Sequence, residues 1–205
     1  MYLRPVFSQP EEARIRALIE ANAFGQLVTC GPRGLEASPI PFVLRPQGEG
    51  FLLAGHLAAG NPQCDMLDGG DALAIFAGPH AYISPVWYGV QPAVPTWDFA
   101  AVHVSGRLEA VTDPEAIQRD MERLAASDPA GFTVAAMEAG FRARMIAGVR
   151  AFVLRPSKVE AQWKMSQNRA AADRTRVVAA LRAQGDPMSA EVADLIAETL
   201  PATEF

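Results

Sequence analysis

A mainly β, α+β architecture, a β-barrel with inserted helices, is predicted by three features of this 205-residue sequence. Short apolar segments recur between breaks containing Gly and Pro. One of them, residues 99–111, alternates Val102, Val104, Gly106 and Leu108 with His103, Ser105, Arg107 and Glu109, the period of a strand buried on one face. Between such segments lie stretches whose apolar residues recur with helical period. Half of the residues are hydrophobic, enough for a real core around such strands.

Ser8 and Glu11 stand at capping-box spacing and predict a helix ending near Asn22, with Ile15, Leu18 and Ile19 on its buried stripe. Residues 24–30 read as a strand and residues 31–34 as the turn after it. The extended segment 37–44 carries Pro39 and Pro41, which cannot donate to a sheet ladder, so it is placed at an edge or beside a ligand. Residues 50–54 and 72–77 are further strands. Residues 55–63 between them read as a loop entering a short helix with Pro62 in its first turn. Residues 81–84, 99–111, 150–154 and 159–163 complete the strands. Asp113-Pro114 starts a helix with Ile117, Met121 and Leu124 facing inward. Another helix over 134–147 is expected to turn Met137, Phe141, Met145 and Ile146 inward. The tail reads as helices 170–183 and 189–199, the second with Val192, Leu195 and Ile196 as its stripe, separated by the breaker Gly185-Asp186-Pro187.

Composition narrows the function. Formal net charge is −5 and the isoelectric point is near 5.2, which argues against strong non-specific nucleic-acid binding. One local exception gathers Lys164, Arg169, Arg174, Arg176 and Arg182 around Asp173 alone. No segment approaches the roughly 20 apolar residues of a membrane span. Cys30 and Cys64 form no metal or disulfide pattern, which fits a reducing, cytoplasmic setting. Phosphate-binding glycine loops, dinucleotide fingerprints, an HExxH metal motif and a nucleophile elbow are all missing, so any chemistry falls to a cofactor.

All three tryptophans lie among polar groups. Trp87 follows His80, Tyr82 and Ser84; Trp97 precedes Asp98; and Trp163 is followed by Lys164, Ser166 and Gln167. Aromatic faces interleaved with hydrogen-bonding groups suit a site that packs a flat ring and binds its edges. Ser38, Pro39, Ile40, Pro41 and Phe42, the segment from His56 through Asn61 to Gln63, Tyr82 with Ser84, and the Trp163 cluster are the candidates for such a shared site. Alternatives stay open at each. His103 between two valines suits a structural histidine, His80 after Gly-Pro a turn, Trp87-Tyr88 a subunit interface, and Asp98 a structural carboxylate.

The segments LAGHLAAGNPQ (53–63), AIFAGPHAYISPVWY (74–88), VPTWDFAAVHVSGRL (94–108) and WKMSQNR (163–169), in this order, resemble the PaiB family, described as FMN-binding negative transcriptional regulators of the FMN-binding split-barrel superfamily. The resemblance runs from Met1-Tyr2 to about Leu181. It implies a six-stranded antiparallel split barrel over residues 1–167, with residues 168–205 as a C-terminal helical extension. It further implies a homodimer with FMN at the subunit interface. At motif level the flavin contacts fall on Ser38 through Phe42, on His56 and Asn61 through Gln63, and on Trp163 through Gln167. Two functions follow as expectations: a flavin-binding regulator, or an FMN-dependent oxidoreductase using the open aromatic site around Tyr82, Trp87 and Trp97. A split barrel holding another planar ligand, such as haem, is the third. Direct DNA reading by the C-terminal helices has little behind it, since an acidic chain without an evident helix-turn-helix offers no obvious surface.

Overall fold

Seven antiparallel strands form one sheet in the order β2-β1-β5-β6-β7-β4-β3. They are β1 (Phe24–Gly31), β2 (Gly34–Pro41), β3 (Val43–Gln47), β4 (Gly50–Ala58), β5 (Asp71–Ile83), β6 (Thr96–Val111) and β7 (Val149–Lys164). The helices are α1 (Glu12–Ala21), α2 (Pro114–Ala125), α3 (Ala139–Ala147), α4 (Ala171–Gln184) and α5 (Pro187–Ala197). The structure is a computed structural model that describes residues 1–9, 11–126 and 128–201. The end of the C-terminal extension, Ala202–Phe205, and Pro10 at the start of the first helix lie outside the described residues.

The chain divides into two compact units. One comprises residues 1–18, 77–102 and 160 onward; the other comprises residues 19–76 and 103–159. The strands β5, β6 and β7 each contribute a stretch to both.

In the second unit, the two-residue turn Pro32-Arg33 joins β1 to β2, and β1 pairs on its other side with β5. The strands β3 and β4 form a second hairpin, and β4 continues onto β7. The segment 37–44 is two strands rather than one because Phe42 leaves the ladder. Its N–H donates to Ala23 O at 2.8 Å, and its ring packs edge-on against Phe76 and Phe152, with centroids 5.2 and 6.4 Å away. Such aromatic pairs add to the area term and fix the corner. Conversely, the pieces flanking Pro79 and Pro156 join into the single long strands β5 and β7. These changes give seven strands where the resemblance implied six.

Two helices depart from expectation. Glu138 caps α3, accepting from the N–H groups of Gly140 and Phe141 at 2.7 Å each, so the helix starts at Ala139 instead of Val134. The shortened helix leaves Phe141 and Met145 exposed, and Met137 and Ile146 only half-buried, not inward as the periodicity suggested. In α2, Ile117 is buried, whereas Met121 and Leu124 are half-buried. The most enclosed polar group there is Asp120, whose carboxylate takes Arg45 in a two-point ion pair.

The first unit packs Ile83, Val102, Met165, Val177, Leu181, Val192 and Ile196 as its buried apolar centre. Gln9 N–H donates to Ala161 O at 3.0 Å and Ser8 bridges to Gln162, so Ser8 extends the sheet, and the Glu11 N–H goes to Gln9 Oε1 at 3.1 Å. Ile15, Leu18 and Ile19 are buried on α1 as its period requires. Between α4 and α5, Gly185 adopts φ +77°, the left-handed conformation that ends a helix without a side-chain penalty. Asp186 then caps α5 through Ser189 N–H at 2.9 Å.

Candidate functional site

The candidate residues fall into two groups, one in each compact unit. In the unit of residues 19–76 and 103–159, β2 is an edge strand. Gly31 and Gly34 flank the two-residue turn and are partners in register, so alternate pairs from there exchange backbone hydrogen bonds. Thr29 with Glu36, Leu27 with Ser38 and Gly25 with Ile40 are the bonded pairs. Ala37, Pro39 and Pro41 therefore aim their backbone groups away from β1. Proline has no N–H, so the outer edge offers the carbonyls of Ala37, Pro39 and Pro41 with the amide of Ala37. This edge therefore supplies mainly acceptors.

On the side-chain face of the same hairpin, Ser38 Oγ accepts from Asn61 Nδ2 at 3.0 Å, and Asn61 Oδ1 accepts from Gln63 N–H at 2.9 Å. Asn61 thereby caps the short turn Pro62–Met66, using one amide that would otherwise be open to an anion. Gln63 is buried, with Nε2 set among Thr29 Oγ1 at 3.0 Å, Glu36 O at 3.1 Å and Leu27 O at 3.2 Å. Three acceptors around one nitrogen fix the amide's orientation and leave Gln63 Oε1 buried without a donor among the described residues. Arg33, at the hairpin turn, reaches Asp65 and the carbonyl of Pro62 and so ties this turn to β1–β2. Ile40 and Phe42 are buried, Pro39 is exposed and Pro41 is half-buried.

His56 lies on β4, opposite Ala151, rather than in the predicted loop, because β4 continues to Ala58. Burial pushes its imidazole below the ordinary value of 6.5, with Asp120 pulling partly the other way. A histidine held neutral on folding contributes stability that is complete above the unfolded value and is lost as pH falls through the folded one. Melting temperature is expected to be level above about pH 6.5 and to decline as pH falls below it, and His56→Gln should flatten that limb. A wild-type slope retained in the variant would assign the effect to other groups.

In the other unit, Trp163 is buried at the end of β7, 5.8 Å from the Arg14 guanidinium. The polar residues after it are engaged within the chain. Gln167 Nε2 donates to Trp163 O at 2.6 Å, and Gln167 Oε1 accepts from Met165 N–H at 2.7 Å. Ser166, at φ 54°, donates through Oγ to Asp98 Oδ2 at 2.6 Å. Lys164 Nζ lies 3.4 Å from Asp98 Oδ1 and also meets Thr96 Oγ1 and the carbonyl of Trp97. Asp98 is 0% exposed, and burial raises its carboxyl above the ordinary range against the opposing pull of Ser166 and Lys164. Sequence reading left Asp98 as an isolated structural carboxylate; its partners lie more than sixty residues away, and no local signal announces them.

Tyr82 and Ser84 lie in this unit too. Ser84 caps the turn Pro85–Trp87 through Val86 N–H, and the Tyr82 ring stands edge-on to Trp97 with centroids 6.1 Å apart. His80, on β5 and not in a turn, places Nδ1 3.0 Å from Gly78 O and its ring 6.1 Å from Trp97. The basic cluster is largely paired. Arg176 meets Asp173, Arg182 meets Asp194 at 2.8 Å, Arg174 donates to Thr199, and Arg169 lies 4.3 Å over the Tyr88 ring.

The family described as "Putative FMN-binding domain" matches residues 1–158. The chain belongs to this family. Its cofactor is FMN. Protease synthase and sporulation protein PAI 2 of Bacillus subtilis is 27% identical over 204 residues, covering 98% of each chain, which bears out the resemblance to the PaiB family. Among solved structures, conserved hypothetical protein Rv2991 from Mycobacterium tuberculosis superposes with a TM-score of 0.62 at 14% identity, covering 83% of this chain and 94% of its own. The flavocytochrome Anf3 from Azotobacter vinelandii gives 0.59 at 12% identity, covering 79% and 72%. The split-barrel fold expected from the sequence is thus found, with seven strands in its sheet.

Proposed function

We propose that this chain is an FMN-binding protein of the PaiB type that works as a cytoplasmic homodimer and acts as a negative transcriptional regulator. Family membership over residues 1–158 carries the flavin assignment. The chemistry of the β2 edge suits that group. Outward carbonyls can accept from a flavin imide N–H, and the Ser38–Asn61 pair suits ribityl hydroxyls. The donorless Gln63 Oε1 beside them is a further acceptor. When bound, FMN would supply electron-transfer chemistry that no side chain here offers. Pro39, Ile40, Pro41, Phe42 and His56 are the further candidates in this unit. Tyr82, Ser84, Trp163, Lys164, Ser166 and Gln167, in the other unit, are candidate flavin contacts on the resemblance to the family, residues 1–167 being the flavin-binding part and residues 168–205 the extension.

A largely apolar face, interrupted by the exposed Gln26, supports the dimer. Register partners share a face, so Phe24, Val28 and Cys30 of β1 lie with Leu35, Ala37 and Pro39 of β2 and Leu73 of β5 on the side opposite Ser38 and Gln63. Phe24 is 69% and Leu35 78% exposed, a surface that a second copy would cover. Direct operator contact through α4 and α5 has less support, because the arginines there are held by Asp173, Asp194 and Thr199. A second reading, an FMN-dependent oxidoreductase, is favoured by the aromatic-lined cavity at Tyr82, Trp87 and Trp97. Oxidation of NAD(P)H by the flavin-loaded protein with an added acceptor would favour the enzyme, whereas a salt-sensitive gel shift on the protein's own upstream DNA would favour the regulator.

Asn61→Ala tests the site itself. It removes the bond to Ser38 and the cap on Gln63, and it is expected to weaken FMN about tenfold, or 1.4 kcal/mol, while costing roughly 1 kcal/mol of stability. Lys164→Ala is likewise expected to weaken FMN retention. Unchanged FMN affinity in Asn61→Ala would move the flavin away from this turn.

A further inference from the structure

A cavity of about 290 Å³ opens in the unit that carries the C-terminal helices, and its lining combines aromatic faces with a carboxylate. Tyr82, Trp87 and Trp97 supply three rings, with Met188 beside them. Trp97 is 54% and Tyr82 47% exposed, so their faces are available and not spent on the core. The Tyr82 and Trp97 rings meet at 74°, and two faces set at such an angle can contact a compact ligand from two sides. His80 also lines the cavity. A carbonyl can only accept, so the contact of His80 Nδ1 with Gly78 O places a proton on Nδ1 and leaves Nε2 as an acceptor in the neutral ring. The carboxylate is Asp186, which accepts the α5 cap bond from Ser189 N–H. Hydrogen bonds from Ser189 hold its carboxyl below the usual aspartate range, so it is anionic at neutral pH. Among the described residues, no lysine or arginine lines the cavity.

Electron-rich ring faces with a single carboxylate and neither lysine nor arginine in the lining favour a positively charged guest over a neutral or anionic one. We propose that this cavity binds a small organic cation of the alkylammonium class, held by the faces of Trp97, Tyr82 and Trp87 and neutralised by Asp186. The proposal uses only groups of this cavity, of which Tyr82 is also a candidate flavin contact, so competition with FMN separates the two readings. The ammonium head loses water on entry, and the rings and the carboxylate together replace that solvation.

Choline and its uncharged isostere 3,3-dimethylbutan-1-ol separate charge from shape. With the full chain free of FMN, tryptophan fluorescence or calorimetric titration is expected to show saturable choline binding at about millimolar Kd or tighter, and about tenfold weaker binding of the alcohol. Asp186→Asn removes the charge and keeps a side chain that caps α5 equally well, so the fold stays and choline affinity should fall about fivefold. Trp97→Ala should lower it about tenfold, its side chain being exposed enough to remove without unfolding. Circular dichroism of both variants would confirm the fold. Equal binding of choline and the alcohol, or unchanged choline affinity in both folded variants, would overturn the proposal. Competitive expulsion of choline by FMN would also overturn it, by assigning the cavity to the cofactor.

Discussion

Asp98→Ala is expected to lower the unfolding free energy by about 3 kcal/mol, read as a shift in the denaturant midpoint at unchanged slope. The carboxylate is fully enclosed and is the acceptor for both the Lys164 ammonium and the Ser166 hydroxyl. Deleting it leaves two donors in a partly dry environment and opens a cavity where the carboxylate stood. Lys164 retains some exposure and can turn toward solvent, which keeps the loss at the lower end for a broken buried pair. Asp98→Asn retains an acceptor for Ser166 and gives up only the ion pair, so it should cost less than half as much. Equal losses in the two variants would mean that the ion pair with Lys164, and not the bond to Ser166, is what holds this end of β6 to β7.

Gly106→Ala is the second large effect, expected at roughly 3 kcal/mol or more, with loss of soluble protein as the extreme outcome. A Cβ at Gly106 would stand 2.0 Å from Arg155 O and 3.1 Å from Pro156 Cα, and both are backbone atoms that no rotamer change can move. The neighbouring strand must therefore shift, pulling β6 and β7 apart at this point. A thermal melt within 2 °C of wild type would show that this approach is looser than described.

That contact also explains what sequence pattern could and could not reveal. Alternation around Val102, Val104 and Leu108 identified β6 but presented Gly106 as merely one more inward position. Its role depends on Arg155 and Pro156, about fifty residues later, and pattern within a strand carries no information about its neighbour. The sequence reading ended short strands on either side of Pro79 and Pro156, yet both prolines are accommodated inside β5 and β7. Residues 55–63, with Gly55 and His56, were read as a loop, yet β4 runs through both to Ala58. Gly55 keeps the Phe152 ring close, since a Cβ there would meet it at 2.8 Å.

The candidate site was legible in pieces. The GNPQ motif led directly to Asn61 and Gln63, and the structure brings them to Ser38 and the β1–β2 hairpin. Residue type suggested that Lys164, Ser166 and Gln167 were open donors, but each is engaged within the chain, because the buried charge of Asp98 draws two of them. The aromatic segment around Trp97 was correctly read as exposed and polar-flanked. Its companions Asp186 and Met188 could not be found from sequence, since only the packing of α5 delivers them.

Flavin fluorescence during a titration of free FMN with the purified chain tests the central claim most directly. Saturating quenching at one FMN per chain, together with a dimeric mass in solution, is the expected result. Full flavin fluorescence persisting at protein concentrations far above micromolar, with no shift in the visible bands, would contradict it.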